Sequence, residues 1–134
     1  MSTLNVDTLN DANGTLKGIP VFTVSFESAE QTCTSGGALT LAHSMSSAPK
    51  VIQAFLINKT AELGYSIGDI VQINPSTNSS DGISGRGISL VSDATNVVVR
   101  FGSSSAFTQV NNKSTGTSSG ITNGSWKLIV RAYT

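Results

Sequence analysis

The sequence predicts an all-β protein, an antiparallel β-sandwich or barrel, and we favour a jelly-roll-like sandwich. Three observations support this fold class. About eight short segments alternate apolar with polar residues and are separated by turn-forming residues. No segment repeats its apolar residues at helical spacing. Charged residues are only 12% of the chain, and most polar positions hold Ser, Thr, Asn or Gly, which favour turns and sheets over helices.

Residues 1–20 differ in pattern from residues 21–134, which we predict to form the sandwich. Leu4 and Val6 alternate with polar residues as in a short strand, and Asn13-Gly14 is a strong turn dipeptide. The segment has too few apolar residues to fold by itself, so we predict an extended arm for attachment or oligomerisation. Its apolar contacts would come from Leu4, Val6, Leu9, Leu16 and Ile19.

The longest apolar run, residues 49–57, predicts the central strand. Val51, Gln53, Phe55 and Ile57 would share one face of that strand, and Ile52, Ala54 and Leu56 the other. Both faces are mostly apolar, so we expect the strand to be covered on both sides. A short buried helix is the alternative, but β-branched residues and the initial Pro49 favour a strand.

The other predicted strands follow from the same alternation. In chain order they cover residues 21–26, 38–42, 67–73, 87–91, 97–101 and 126–133, with a weaker one around Phe107 and Val110. A turn at residues 93–96 predicts a hairpin between its two neighbouring strands. Trp126 and Phe101 fall on inward positions, so we predict that both pack in the core. Residues 74–87 and 111–124 are long and polar, which predicts loops of the kind that carry binding surfaces.

The sequence contains no catalytic or metal-binding motif. With one cysteine no intrachain disulfide can form, and we expect Cys33 to be a buried apolar side chain. The single histidine excludes a histidine pair, and His43 has no nucleophile motif beside it, so we predict a structural role. The eight acidic residues follow no catalytic spacing, although two of them could meet in a cleft as in a glycoside hydrolase. We therefore predict a protein without enzymatic activity, cofactor or metal.

The charge balance also limits the expected partners. Eight basic and eight acidic side chains cancel, so the sequence predicts no nucleic-acid partner. No run of about 20 apolar residues is present, so we expect no membrane insertion. No charged segment followed by an apolar one opens the chain, so we expect synthesis in a cytoplasm without a signal peptide.

Several segments resemble bacteriophage virion proteins. Residues 4–15, LNVDTLNDANGT, resemble the short opening of tail-fibre and other virion proteins, those of marine phages especially. Four further segments resemble a β-sandwich module of the same proteins: LTLAH at 39–43, KTAELGYSIGD at 59–69, DATNVVVRF at 93–101 and ITNGSWKLIVRA at 121–132. After the histidine that family more often has Gly-Leu-Gly, where this chain has Ser44-Met45-Ser46.

The resemblance implies a non-enzymatic virion protein that forms a homotrimer, in which three arms and three sandwiches pack around one axis. It implies a short tail fibre or spike, exposed on the particle, whose arm binds other virion proteins and whose loops contact a glycan or receptor of the host surface. The alternative is a head fibre or capsid decoration protein with a purely structural role. A carbohydrate-active enzyme is the third interpretation. Candidate contact residues in or beside the polar loops are Tyr65, Asn78, Arg86, Asn112 and Lys113.

Overall fold

The computed structural model describes residues 24–75 and 85–134. It contains ten strands: β1 (Ser25–Glu27), β2 (Gln31–Thr32), β3 (Ala38–Ala42), β4 (Val51–Asn58), β5 (Ile70–Ile73), β6 (Ile88–Ser92), β7 (Asn96–Phe101), β8 (Gln109–Asn111), β9 (Ser118–Gly120) and β10 (Trp126–Tyr133). A short 3-10 turn, Asn123–Ser125, precedes β10. The predicted arm and its boundary with the sandwich lie outside the described residues.

The strands form antiparallel sheets. One sheet has the order β1-β10-β4-β5, and β2 also pairs with β10. The second sheet has the order β3-β7-β6, and β8 pairs with β9 in a small third sheet. Within the described residues neither large sheet closes on itself. The predicted all-β, sandwich-like fold is therefore confirmed.

The longest ladder joins β4 to β10, from Trp126 opposite Asn58 to Tyr133 opposite Val51. Alternation of side chains along a strand sends every second residue of both strands to the same face. The inward residues are fully buried and belong to the main core; they are Ala54, Leu56, Trp126, Leu128, Val130 and Ala132. The predicted core position of Trp126 is confirmed.

The second sheet supplies the other side of the core. Its buried side chains belong to the same core as those of β4 and β10; they are Ile88 of β6 and Val97, Val99 and Phe101 of β7. The predicted hairpin joins β6 to β7. At its turn the Asp93 carboxylate accepts hydrogen bonds from the backbone N–H groups of Thr95 and Asn96, both at 2.7 Å.

Three predicted boundaries were wrong. The strand predicted at residues 67–73 begins only at Ile70, because Gly68 adopts a left-handed φ of +90° that interrupts extended backbone. The polar segment 111–124 is not one loop, since β9 and the 3-10 turn lie within it. Between the predicted strands 21–26 and 38–42, where no strand was predicted, the structure has β2, which pairs with Lys127 and Leu128.

The central strand also departs from expectation. β4 lies inside its sheet, between β10 and β5, as its apolar pattern predicted. Its two faces are not equally covered. Ala54 and Leu56 are fully buried, whereas Val51 is 36% exposed, and neither Phe55 nor Ile57 belongs to the main core. The prediction that β4 is covered on both sides was therefore wrong for the described residues.

Candidate functional site

The outer surface of the five-stranded sheet carries a stripe of apolar side chains among polar ones, which include Gln53, Gln72, Lys127 and Arg131. We define the outward face by Val51, Phe55, Ile57, Ile70 and Ile129, which lie on β4, β5 and β10. The strand register places Phe55 beside Ile129 and Ile57 beside Ile70. Ile70 is 50% exposed, and Ile129 is buried without being part of the main core. An apolar stripe that is partly exposed in this way is a candidate interaction surface.

Charged side chains of both signs border the outward face. Arg131 lies across the Phe55 ring, with its guanidinium carbon 4.5 Å from the ring centroid. The same guanidinium donates to the Glu27 carboxylate at 2.5 Å. Lys127 donates to the Thr32 hydroxyl at 2.9 Å. The long side chains therefore cover part of the apolar surface and keep their charged ends at its border.

Three of the predicted contact residues lie together beside this sheet. The Tyr65 cluster consists of Tyr65, Asp69, Asn112 and Lys113, from the loop before β5 and the loop after β8. Lys113 forms a salt bridge with Asp69 at 2.6 Å, and its ammonium lies 5.9 Å from the centre of the Tyr65 ring. The Asn112 side-chain oxygen accepts hydrogen bonds from the backbone N–H groups of Ser114, at 2.9 Å, and Thr115, at 3.1 Å.

The polar groups of the Tyr65 cluster hold two loops together. A backbone bond from Lys113 N to Leu63 O, 2.9 Å long, joins the loops, and the Tyr65 hydroxyl donates to Asn111 O at 2.8 Å. The hydrogen bond from Lys113, and then one from the Ser66 N–H, hold the pKa of Asp69 below its ordinary value of 3.8. Contact of these residues with a ligand stays a prediction.

Trp126 links this end of the molecule to the core. The Tyr65 ring meets Trp126 edge-on, with ring centres 5.4 Å apart. The Trp126 indole N–H donates to the Glu62 carboxylate, which also accepts from the Thr122 N–H at 2.9 Å. The fully buried indole, itself held by the Glu62 carboxylate, therefore positions the Tyr65 ring from the core side.

An open cleft of about 520 Å³ lies between β5 and β8. Val71, Ile73 and Val110 form its apolar floor, and all three also contact or belong to the main core. Tyr65 contributes the aromatic part of the lining. The remaining lining side chains are uncharged and polar: Gln72, Asn74, Thr108, Gln109, Asn111 and Ser118. We call this the β5–β8 cleft. Sequence reasoning missed it, because its residues come from distant segments and follow no motif.

The other predicted contact residues do not join this arrangement. Arg86 precedes β6 and its guanidinium lies 3.5 Å from the Ser104 hydroxyl, with no contact to the Tyr65 cluster among the described residues. Asn78 lies outside the described residues. So do the predicted arm residues, Leu4, Val6, Leu9, Leu16 and Ile19.

His43 and Cys33 lie where the sequence predicted. His43 is buried; its Nε2 donates to Asp93 O at 3.2 Å and its Nδ1 accepts from Met45 N at 3.4 Å. Both ring nitrogens are thus engaged within the fold, as expected for a structural histidine. Cys33 is also buried, and burial raises the pKa of its thiol to about 12. A neutral thiol of this kind is a poor nucleophile.

The described residues hold neither a cluster of metal ligands nor a membrane-spanning helix. Across residues 24–75 and 85–134, no three His, Cys, Asp or Glu side chains cluster in a way that would hold a metal ion. In the same part of the chain, no helix has the length and hydropathy needed to cross a membrane.

Comparison with known proteins gives no family assignment. The chain matches no model of a protein family and no curated protein. The likeness to phage virion proteins therefore rests on the sequence segments described above.

Proposed function

We propose that this chain is a non-enzymatic structural protein of a bacteriophage particle, a short fibre or spike whose copies associate through the outward face. One observation carries the proposal: an apolar stripe on the outer side of the sheet that is separate from the main core and leaves Val51 36% and Ile70 50% exposed. The sequence segments that resemble virion proteins support the particle as its location.

A second copy of the chain suits the outward face for three reasons. Sheets pack face to face through flat apolar surfaces, about 10 Å apart. The formal net charge is zero, so copies do not repel one another. The border carries both signs, with Glu27 and Arg131 close together, so that neighbouring copies in a ring of three can place opposite charges opposite each other. A homotrimer is the oligomer implied by the resemblance.

The oligomeric state of the purified full chain tests the assembly. We expect a trimer by light scattering after size-exclusion chromatography, and monomers for Phe55→Lys and Ile70→Lys. Both variants place a charge on the outward face without touching the core. Val91→Lys is the matched control, because Val91 is 65% exposed on β6 of the other sheet. It should remain a trimer.

Each other result has a definite meaning. A monomeric wild-type chain would overturn the proposed assembly. Trimeric Phe55→Lys and Ile70→Lys variants would move the interface away from the outward face, and residues 1–23 would become the next segment to test. Far-ultraviolet circular dichroism should be the same for all four proteins, which separates loss of association from loss of folding.

Antibody labelling of intact particles tests the location. Label at the tail supports the fibre or spike. Label spread over the head supports the alternative, a head fibre or decoration protein. Absence of label from every particle would overturn the virion proposal.

A further inference from the structure

We infer that the β5–β8 cleft binds a neutral saccharide. The inference rests on the proposed function, in which the chain contacts a host surface, and it adds the ligand class and the residues that would bind it. The cleft volume of about 520 Å³ lies within the range of ~300–1,000 Å³ that is usual for small-molecule sites.

The lining of the cleft favours an uncharged ligand. None of its residues is an Asp, Glu, Lys, Arg or His. The nearest charges belong to the Tyr65 cluster, where Lys113 and Asp69 neutralise each other. A phosphate, carboxylate or ammonium group entering the cleft would lose hydration without gaining an opposite charge, which is unfavourable.

The polar side chains of the cleft match hydroxyl groups. Gln72, Asn74, Gln109 and Asn111 carry carboxamides, each of which offers donors and an acceptor. Neither these amides nor the Ser118 hydroxyl form a side-chain hydrogen bond with any described residue. A polyhydroxylated ligand also presents a donor and acceptors at each hydroxyl. It is therefore the class of ligand that can satisfy these groups without a charge.

The cleft is also held in shape before any ligand arrives. Its floor residues Ile73 and Val110 are 5% and 6% exposed. The Tyr65 ring is positioned by the hydroxyl bond to Asn111 O and by the edge contact with Trp126. An aromatic side chain fixed at the edge of a polar cleft gives a ligand an apolar surface as well as hydrogen bonds. Sites on such supported positions lose little entropy on binding.

A peptide strand is a poorer fit to the same cleft. Strand addition would use the edge of β5 that pairs with no described strand, but β5 has only four residues. Pro75 follows soon after and has no amide hydrogen to extend the ladder. A bound strand would also leave the carboxamides of Gln72 and Gln109 without the multiple hydroxyl partners that a saccharide supplies.

Nuclear magnetic resonance of the ¹⁵N-labelled full chain tests the inference. The probes are maltose, lactose, N,N′-diacetylchitobiose and the anionic 3′-sialyllactose. We expect at least one neutral probe to shift the side-chain amide signals of Gln72, Asn74 and Gln109 in a saturable way. The double variant Gln72→Ala/Gln109→Ala should weaken that binding about tenfold, as expected for two lost hydrogen bonds.

Controls decide the assignment. Gln53→Ala removes an amide from the outer surface of β4, outside the cleft, and should bind as the wild type does. The inference is overturned if no neutral probe shifts the cleft signals, if the double variant binds normally, or if 3′-sialyllactose binds more tightly than lactose. A synthetic peptide of residues 1–23 that shifts the β5 backbone signals in place of the saccharides would assign the cleft to a peptide strand.

Failure of this inference and failure of the proposed function are distinguishable. A trimer that binds no saccharide keeps the proposed assembly and removes only the ligand. A monomer that binds a neutral saccharide in the cleft keeps the ligand and removes the assembly.

Discussion

Replacing Trp126 with alanine tests how the core is joined to the Tyr65 cluster. Trp126 is fully buried and belongs to the main core. Truncation of a buried Trp costs about 3–5 kcal/mol, from lost burial and the cavity left behind. The indole N–H also donates to Glu62, which would keep only its bond from Thr122. We therefore expect a loss in the upper part of that range, a large fraction of the ~5–15 kcal/mol that stabilises an ordinary domain.

The two contributions can be separated by a second variant. Trp126→Phe keeps most of the ring volume and removes the indole N–H, so it should cost about 1.5–3 kcal/mol, the usual worth of a hydrogen bond to a charged group. The measurement is urea unfolding followed by far-ultraviolet circular dichroism, at one protein concentration because association contributes to apparent stability. Val91→Ala, at a 65% exposed position, should change stability by less than about 0.5 kcal/mol. A Trp126→Ala loss as small as that of Val91→Ala would refute the placement of Trp126 in the core.

Two further predictions concern ionisable groups. Burial raises the pKa of the Cys33 thiol to about 12, so the folded chain should resist a thiol reagent at about pH 8. In denaturant the reagent should react once per chain, because the sequence has one cysteine. Rapid reaction of the folded chain would contradict the burial of Cys33. The pKa of Asp69 is lower in the folded chain than in the unfolded chain. The stability that this carboxylate adds to the fold is therefore present above pH 3.8 and is lost as the pH falls through the folded-state pKa. Lys113→Met should therefore raise the pKa of Asp69 in a carboxyl ¹³C titration. The same variant should leave the pKa of Asp93 unchanged, because hydrogen bonds from the Thr95 N–H, the Thr95 hydroxyl and the Asn96 N–H lower that pKa. An unchanged pKa of Asp69 would show that the salt bridge contributes nothing.

The sequence predicted the strands whose pattern is strong. β4, β10 and the β6–β7 hairpin each alternate apolar and polar residues or carry β-branched runs, and burial of one face fixes their positions. The two polar strands, β2 and β9, have two and three residues and were missed, because so short a segment shows no period. They are strands only because a neighbouring strand supplies the hydrogen bonds.

Asn58 illustrates a limit of local pattern. It lies just after the predicted central strand, residues 49–57, yet it completes β4 and is fully buried. Its backbone N–H and C=O bond to Asp69 and Gly68, which explains the extended position. Its side-chain amide forms no hydrogen bond with the described residues, which local sequence gives no reason to expect.

The candidate surfaces were harder to predict than the fold. Apolar residues on both sides of β4 are visible in the sequence, but the partner that covers each side depends on the tertiary arrangement. The β5–β8 cleft depends on two edge strands, from residues 70–73 and 109–111, that are far apart in the chain. Tyr65 was a candidate because turn residues surround it, and it is the one predicted contact residue that lines the cleft.

The two proposals constrain each other through β5. Ile70 and Gln72 of this strand share the outward side, because they pair with Ile57 and Phe55, while Gln72 and Ile73 also line the cleft. A second copy that covers Ile70 must therefore leave the β8 side of the cleft, with Gln109, open to ligand. A few hydrogen bonds to a neutral saccharide give weak binding at a single site. Three clefts held in one oligomer and engaging a repetitive surface polysaccharide would raise the overall affinity by about 10²–10⁴ when the geometry allows simultaneous contact. Assembly through the outward face would thus make a weak, uncharged site sufficient for attachment.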